Sequence, residues 1–244
     1  MIEHEDFLRP HHFRNGSYLQ AGKALIIVEI IAAIAALALT LYQHIIRPGA
    51  DNYSDILHII SYSIHYLNLL VLFAILLILR HYLSNFRLSG VRKMIIAYIC
   101  ISILSSLFYR LVSPHLTQFI IDYQHSGTGI PINVIGMILS APYFFFQIAF
   151  LLMGLYIGIK LYKYQHDYVG GLKVLGVAYI IDKFGDVFSL SLAFTSNIFT
   201  YKSTLYIITN CLSSIITTAL WLYVMYCMCK LFDKAQQYEL PAET

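Results

Sequence analysis

Six apolar stretches, at 23–46, 55–82, 92–113, 131–162, 172–194 and 203–231, dominate the chain. Each is long enough to cross a bilayer, which takes about 20 residues. They leave little polar material to coat a water-soluble fold: of 244 residues, 59% are hydrophobic and 12% charged, against about 25% charged in an ordinary soluble domain. The expected fold is therefore all-α and polytopic, with six transmembrane helices and lipid as the main solvent. Ala36-Leu37-Ala38 resembles a signal-peptidase motif, but Glu29 interrupts the run before it and an uncleaved first helix completes an even count. The fourth stretch is too long for one straight span and contains Pro142, which predicts a kink or an interfacial start.

The cations give an orientation. Arg9, Arg14, Lys23, Arg80, Arg87, Arg92, Lys93, Lys160, Lys163, Lys173, Lys230 and Lys234 fall on one side, and only Arg47, Arg110 and Lys202 on the other. By the positive-inside rule both termini are expected in the cytoplasm, and a bacterial inner membrane suits this pattern. Residues 1–22 mix Glu3, Glu5 and Asp6 with Phe7, Leu8, Phe13 and Tyr18, which reads as an interfacial segment on the cytoplasmic surface. The membrane domain is then 23–232, and 233–244 a cytoplasmic tail.

The helices read as three consecutive hairpins, with signs of an internal repeat. Each hairpin opens on a small residue before a cation: Gly22-Lys23, Gly90-Val91-Arg92 and Gly171-Leu172-Lys173. Each closes on cation-x-aromatic: Arg80-His81-Tyr82, Lys160-Leu161-Tyr162 and Lys230-Leu231-Phe232. Lys23 to Arg80 and Lys173 to Lys230 are both 57 residues (80 − 23 and 230 − 173), and Arg92 to Lys160 is 68. Ala97-Tyr98-Ile99 also matches Ala178-Tyr179-Ile180. Three two-helix units resemble the mitochondrial carriers in outline only. The Pro-x-acid-x-x-base signature of those carriers closes none of the odd helices, so the chain is not assigned to them.

Charge inside a span costs roughly 2.5–3.5 kcal/mol per residue on insertion scales and so marks candidate function. The fifth helix holds Asp182, Lys183 and Asp186. The acids are i and i+4, and Lys183 and Asp186 are i and i+3, close enough to pair. At about 1.5 Å per residue they lie some 14 to 20 Å above Lys173. Asn68, Gln147 and Thr217 fall at similar depth on the even helices, and Glu29 stands about 9 Å above Lys23. In the repeat register the trio replaces Ala32, Ala33 and Ala36 of the first unit, and Ile101, Ser102 and Ser105 of the second. Small residues at most of these places indicate that the trio faces protein. It reads either as a relay or substrate site, or as a self-neutralising pair that orders the bundle.

Elsewhere the chemistry is thinner. Asp55, His58 and His65 share one stripe of the second helix and are weak metal candidates, with no compact ligand motif. Facing histidines for haem are missing, as are nucleophile elbows and phosphate loops. Cys100, Cys211, Cys227 and Cys229 all lie in apolar runs and read as small fillers. No cofactor is expected. A net charge of +3 without a basic block gives nucleic acid nothing to bind. Gly154 and Gly158 form G-x-x-x-G, a close-approach face for a helix inside the bundle or, less simply, for a membrane partner.

Three functions follow. The first is a small transporter or channel for an ion or solute, with a polar path past Asp182, Lys183 and Asp186. The second is a non-catalytic accessory, sensor or assembly subunit of a membrane complex. The third is an intramembrane metal-dependent enzyme, and a non-enzymatic role ranks above it.

Overall fold

The computed structural model describes residues 16–45, 55–86, 88–108, 111, 115, 132–164, 171–196 and 204–238. They form six long helices: α1 (Gly16–Ile45), α2 (Asp55–Tyr82), α3 (Ser89–Leu107), α4 (Ile132–Tyr162), α5 (Leu172–Ser196) and α6 (Thr204–Tyr238), with a short 3-10 turn at Leu83–Asn85. The apolar stretches and the helices coincide to within a few residues at most ends. The largest differences are at α1 and α6. α1 starts at Gly16 with Leu19 fully buried, and α6 runs on past Lys230 to Tyr238. Residues 16–22 therefore continue the first helix, and Leu19 and Gly22 pack on protein. α4 is one unbroken helix that includes Pro142.

Five helices carry a stretch long and apolar enough to cross a membrane: Ser17–Tyr42, Tyr62–Tyr82, Ser89–Leu107, Phe144–Tyr162 and Thr204–Gln236. No more than a third of the most apolar window in each is buried within the protein. α5 is the exception in composition. Every 18-residue stretch within it contains Asp182, Lys183 and Asp186. Its 25 residues still span about 37 Å, more than the hydrocarbon core.

The helices close into a ring in chain order. α1 packs on α2, α2 on α3, α3 on α4, α4 on α5, α5 on α6, and α6 returns to α1. Among the described residues no two helix backbones come close across the ring, and only side chains meet there.

One end of the ring is tightly filled. It is the end that carries most of the cations. Leu19, Leu79, Tyr82, Leu83, Leu161, Leu172, Leu231 and Phe232 are all fully buried there. A chain of rings crosses this end, from Phe232 to Tyr82 (6.2 Å between centroids), Tyr82 to Phe86 (5.3 Å) and Phe86 to Tyr164 (5.7 Å). Lys23 Nζ donates to Asp233 Oδ1 at 2.8 Å and ties α1 to α6. The small residues that open the odd helices make room for this packing. A β-carbon at Gly22 would lie 2.8 Å from Phe232 Cε2, one at Gly171 2.7 Å from Leu231 Cδ1, and one at Gly90 2.6 Å from the Tyr156 hydroxyl.

Toward the other end the packing loosens. Among the described residues, none of α1 beyond Ala33, of α2 before Val71 or of α6 before Val224 is buried. Ser102, Ser105, Phe146 and Ser189 keep α3, α4 and α5 in contact further out. The ring is thus closed at its basic end and spreads on the side of α1, α2 and α6.

Candidate functional site

α5 is held between α4 and α6 by glycine contacts. Gly158 and Gly176 face each other, each with a would-be β-carbon within 3 Å of the other's carbonyl oxygen, at 2.9 Å and 2.7 Å. Gly185 meets the Leu220 side chain of α6. The G-x-x-x-G face of α4 is therefore used inside the ring, against α5.

This close approach positions Lys183. Its stem lies over Gly154, where a β-carbon would fall 2.6 Å from Cδ and 2.7 Å from Cε. The ammonium donates to Asp186 Oδ2 at 2.6 Å and sits 2.9 Å from Asp182 Oδ2. The second contact is an ion pair without hydrogen-bond alignment, since Asp182 Oδ2 makes no aligned bond. Asp182 and Lys183 are buried, whereas 39% of the Asp186 side chain is accessible. One ammonium between two carboxylates leaves a formal charge of −1.

The accessibility of Asp186 has a direction. Leu175, Tyr179, Asp182, Asp186 and Ser189 follow the spacing 0, 4, 7, 11 and 14, which is one face of a helix. Every one of them except Asp186 is buried. The opposite face presents Phe184, Val187 and Phe188 outward. Asp186 therefore stands on the buried face of α5 and not on its outer face.

The even helices repeat one geometry around this level. On α4, Gly154, Gly158 and Leu161 are buried, and Gln147 precedes them by one more step of seven. On α6, Val224, Met228 and Leu231 are buried, preceded at the same interval by Thr217. On α2, Ile75, Leu79 and Tyr82 follow Asn68 in the same way. Each of these stripes is thus buried toward the basic end, with one polar, half-buried residue seven positions before it. Thr217 is satisfied on its own helix, donating to the Ser213 carbonyl at 3.0 Å. Asn68 Oδ1 is buried without a hydrogen-bond partner. Neither Asn68, Gln147 nor Thr217 bonds to the trio.

Below the trio is a cavity of about 10 Å³, lined by Lys183, Trp221, Tyr98 and Tyr179 with Leu72, Ile95 and other apolar side chains. That volume is at the lower limit for one water. Trp221 connects it to α1, because the indole Nε1 donates to Glu29 Oε1 at 3.2 Å. Glu29 is buried and its Oε2 has no hydrogen-bond partner.

Trp221, Tyr98 and Tyr179 were not among the sequence candidates. The matching Ala-Tyr-Ile triplets were the available signal: both tyrosines stand six residues after an opening cation (Arg92 and Lys173), as Glu29 stands six after Lys23. Of the weak metal candidates, His65 is exposed with its ring edge-on to Tyr66. The Asp55 and His58 side chains lie outside the described residues. No group of three or more His, Cys, Asp or Glu side chains converges among the described residues. Set against known protein families, curated proteins and solved structures, the chain matches none.

Proposed function

We propose that this protein is a small six-span membrane transporter with both termini cytoplasmic, whose ion or solute path descends the loose side of the ring to Asp186 and Lys183. The observation that carries this reading is the accessible Asp186 carboxylate on an otherwise buried, inward-facing stripe. An ion pair kept only to order the bundle has no need of that exposure. In this reading the polar residues that precede these stripes line an entrance from the non-cytoplasmic side. The aromatic chain from Phe232 to Tyr164 is the closed cytoplasmic gate, and the three hairpins are repeats of one unit. The excess of cations at the closed end sets the orientation.

An accessory role loses one of its supports, since Gly154 and Gly158 are occupied by α5. The test is chemical access. In a chain freed of its native cysteines, Asp186→Cys is expected to react with a charged, membrane-impermeant thiol reagent applied from the non-cytoplasmic side. Val224→Cys and Met228→Cys are expected to stay unmodified. An unreactive Asp186→Cys in folded protein overturns the reading.

A further inference from the structure

We infer that Glu29 is a proton-binding site of this transporter and that Trp221 transmits its protonation to the cavity under Lys183. The inference rests on the transport reading for its purpose but not for its geometry.

Glu29 lies in the middle of α1, 3% exposed. One carboxylate oxygen has the Trp221 indole as its donor and the other has no partner. No cation among the described residues is within ion-pairing distance: Lys23 is taken by Asp233, and Lys183 by Asp182 and Asp186. A buried carboxylate with neither a cation nor a second donor is strongly disfavoured as a mere packing element. It is a poor site for a hard metal cation, which needs six or more oxygen ligands, because Glu29 brings one free atom. A proton needs only that atom. Its uptake at Oε2 forms one O–H bond and cancels one negative charge, and its release to water restores the carboxylate.

The surroundings supply no competing titration close by. α2 carries no ionisable side chain between Tyr66 and Arg80, and α6 none between Cys211 and Tyr223. Beyond Trp221, α6 carries Tyr223, Tyr226, Cys227, Cys229, Lys230 and Asp233, the last held by Lys23. On α1 itself the next charge toward the basic end is Lys23. Across the cavity stand Lys183, Tyr98 and Tyr179. Glu29, Tyr98 and Tyr179 occupy one register in the three odd helices, so the carboxylate takes the place where the other two present phenols. With Glu29 ionised the interior holds three carboxylates against one ammonium, and with Glu29 protonated, two. The proton thereby changes the field at the Lys183 site from a neighbouring helix pair.

Trp221 is the sole tryptophan of the chain, which makes the proposal directly readable. The intrinsic fluorescence of the purified full-length protein in detergent is expected to shift in a single sigmoid when pH is varied between about 4 and about 10. The transition is expected to vanish in Glu29→Gln. Emission that ignores pH in the folded native chain overturns the proposal, as does a transition that persists in Glu29→Gln. Should Glu29→Gln fail to fold, Glu29→Asp must keep the transition with a displaced midpoint, and an unmoved midpoint overturns it equally. The two readings fail separately. Titrating fluorescence with an unreactive Asp186→Cys leaves the proton site and removes the transporter, while the converse pair of results does the opposite.

Discussion

A β-carbon at Gly154 would stand 2.6 Å from Cδ of Lys183, so it is the missing side chain on α4 that lets the lysine stem lie against that helix and bring its ammonium to both aspartates. Gly154→Ala is therefore expected to act on the trio before it acts on the fold. The lysine stem is flexible and can yield, so stability should fall by about 1 kcal/mol, the lower end for overpacking, while Lys183 leaves its place. Gly176→Ala differs, since its β-carbon would meet the Tyr162 backbone nitrogen at 2.6 Å and the Gly158 carbonyl at 2.7 Å. Backbone does not yield, and the loss should approach about 3 kcal/mol, the upper end for overpacking. Thermal unfolding of the two variants in one detergent checks the order.

The charges of α5 should be destabilising when removed singly and tolerated when removed together. Lys183→Met strands the buried Asp182 carboxylate and is expected to lower stability by about 3 to 5 kcal/mol. Adding Asp182→Asn and Asp186→Asn to that change should restore most of the loss, because a neutral, well-packed replacement of a buried ion network is often no less stable than the original. Equal stability of the single and triple variants would contradict the pairing.

Phe232 fills the basic end between Tyr82 and the backbone of Gly22. Phe232→Ala should cost about 3 to 5 kcal/mol, as for other large-to-small core changes. In the proposed reading it also opens the cytoplasmic gate. Asp186→Cys in the Phe232→Ala background should then react with impermeant reagent from both sides of the membrane instead of one.

The Lys23 to Asp233 pair should contribute little by comparison. Both side chains are partly exposed, at 27% and 40%, and exposed pairs are worth about 0 to 1 kcal/mol. Lys23→Met is expected to lower the melting temperature only slightly, and the effect should fade as salt is added to the sample.

Much of the architecture was legible because hydrocarbon solvent leaves so few options. Apolar length alone located six helices, whereas the small residues ahead of Lys23, Arg92 and Lys173 read only as hairpin openings and not as the closely packed end they occupy. Helix spacing also put Lys183 beside Asp186 correctly, a relation three residues long. What the sequence did not reveal were the relations across the ring. Glu29 and Trp221 are separated by 192 positions, and no local pattern records that α6 returns to α1. Asn68, Gln147 and Thr217 each stand seven positions before a buried stripe of their own helix, yet none of them bonds to the trio. Thr217 spends its hydroxyl on its own backbone, which a linear reading of polar residues does not foresee.

The return of α6 to α1 leaves the first and last helices side by side, with Lys23 and Asp233 in contact near their ends. Such a ring has no unique starting hairpin. If a short linker joined the end of α6 to the start of α1 and the chain were opened between α4 and α5, every helix would keep both neighbours. The order of synthesis would change while the circle of contacts stayed the same, so a cyclically permuted polypeptide can encode the same bundle.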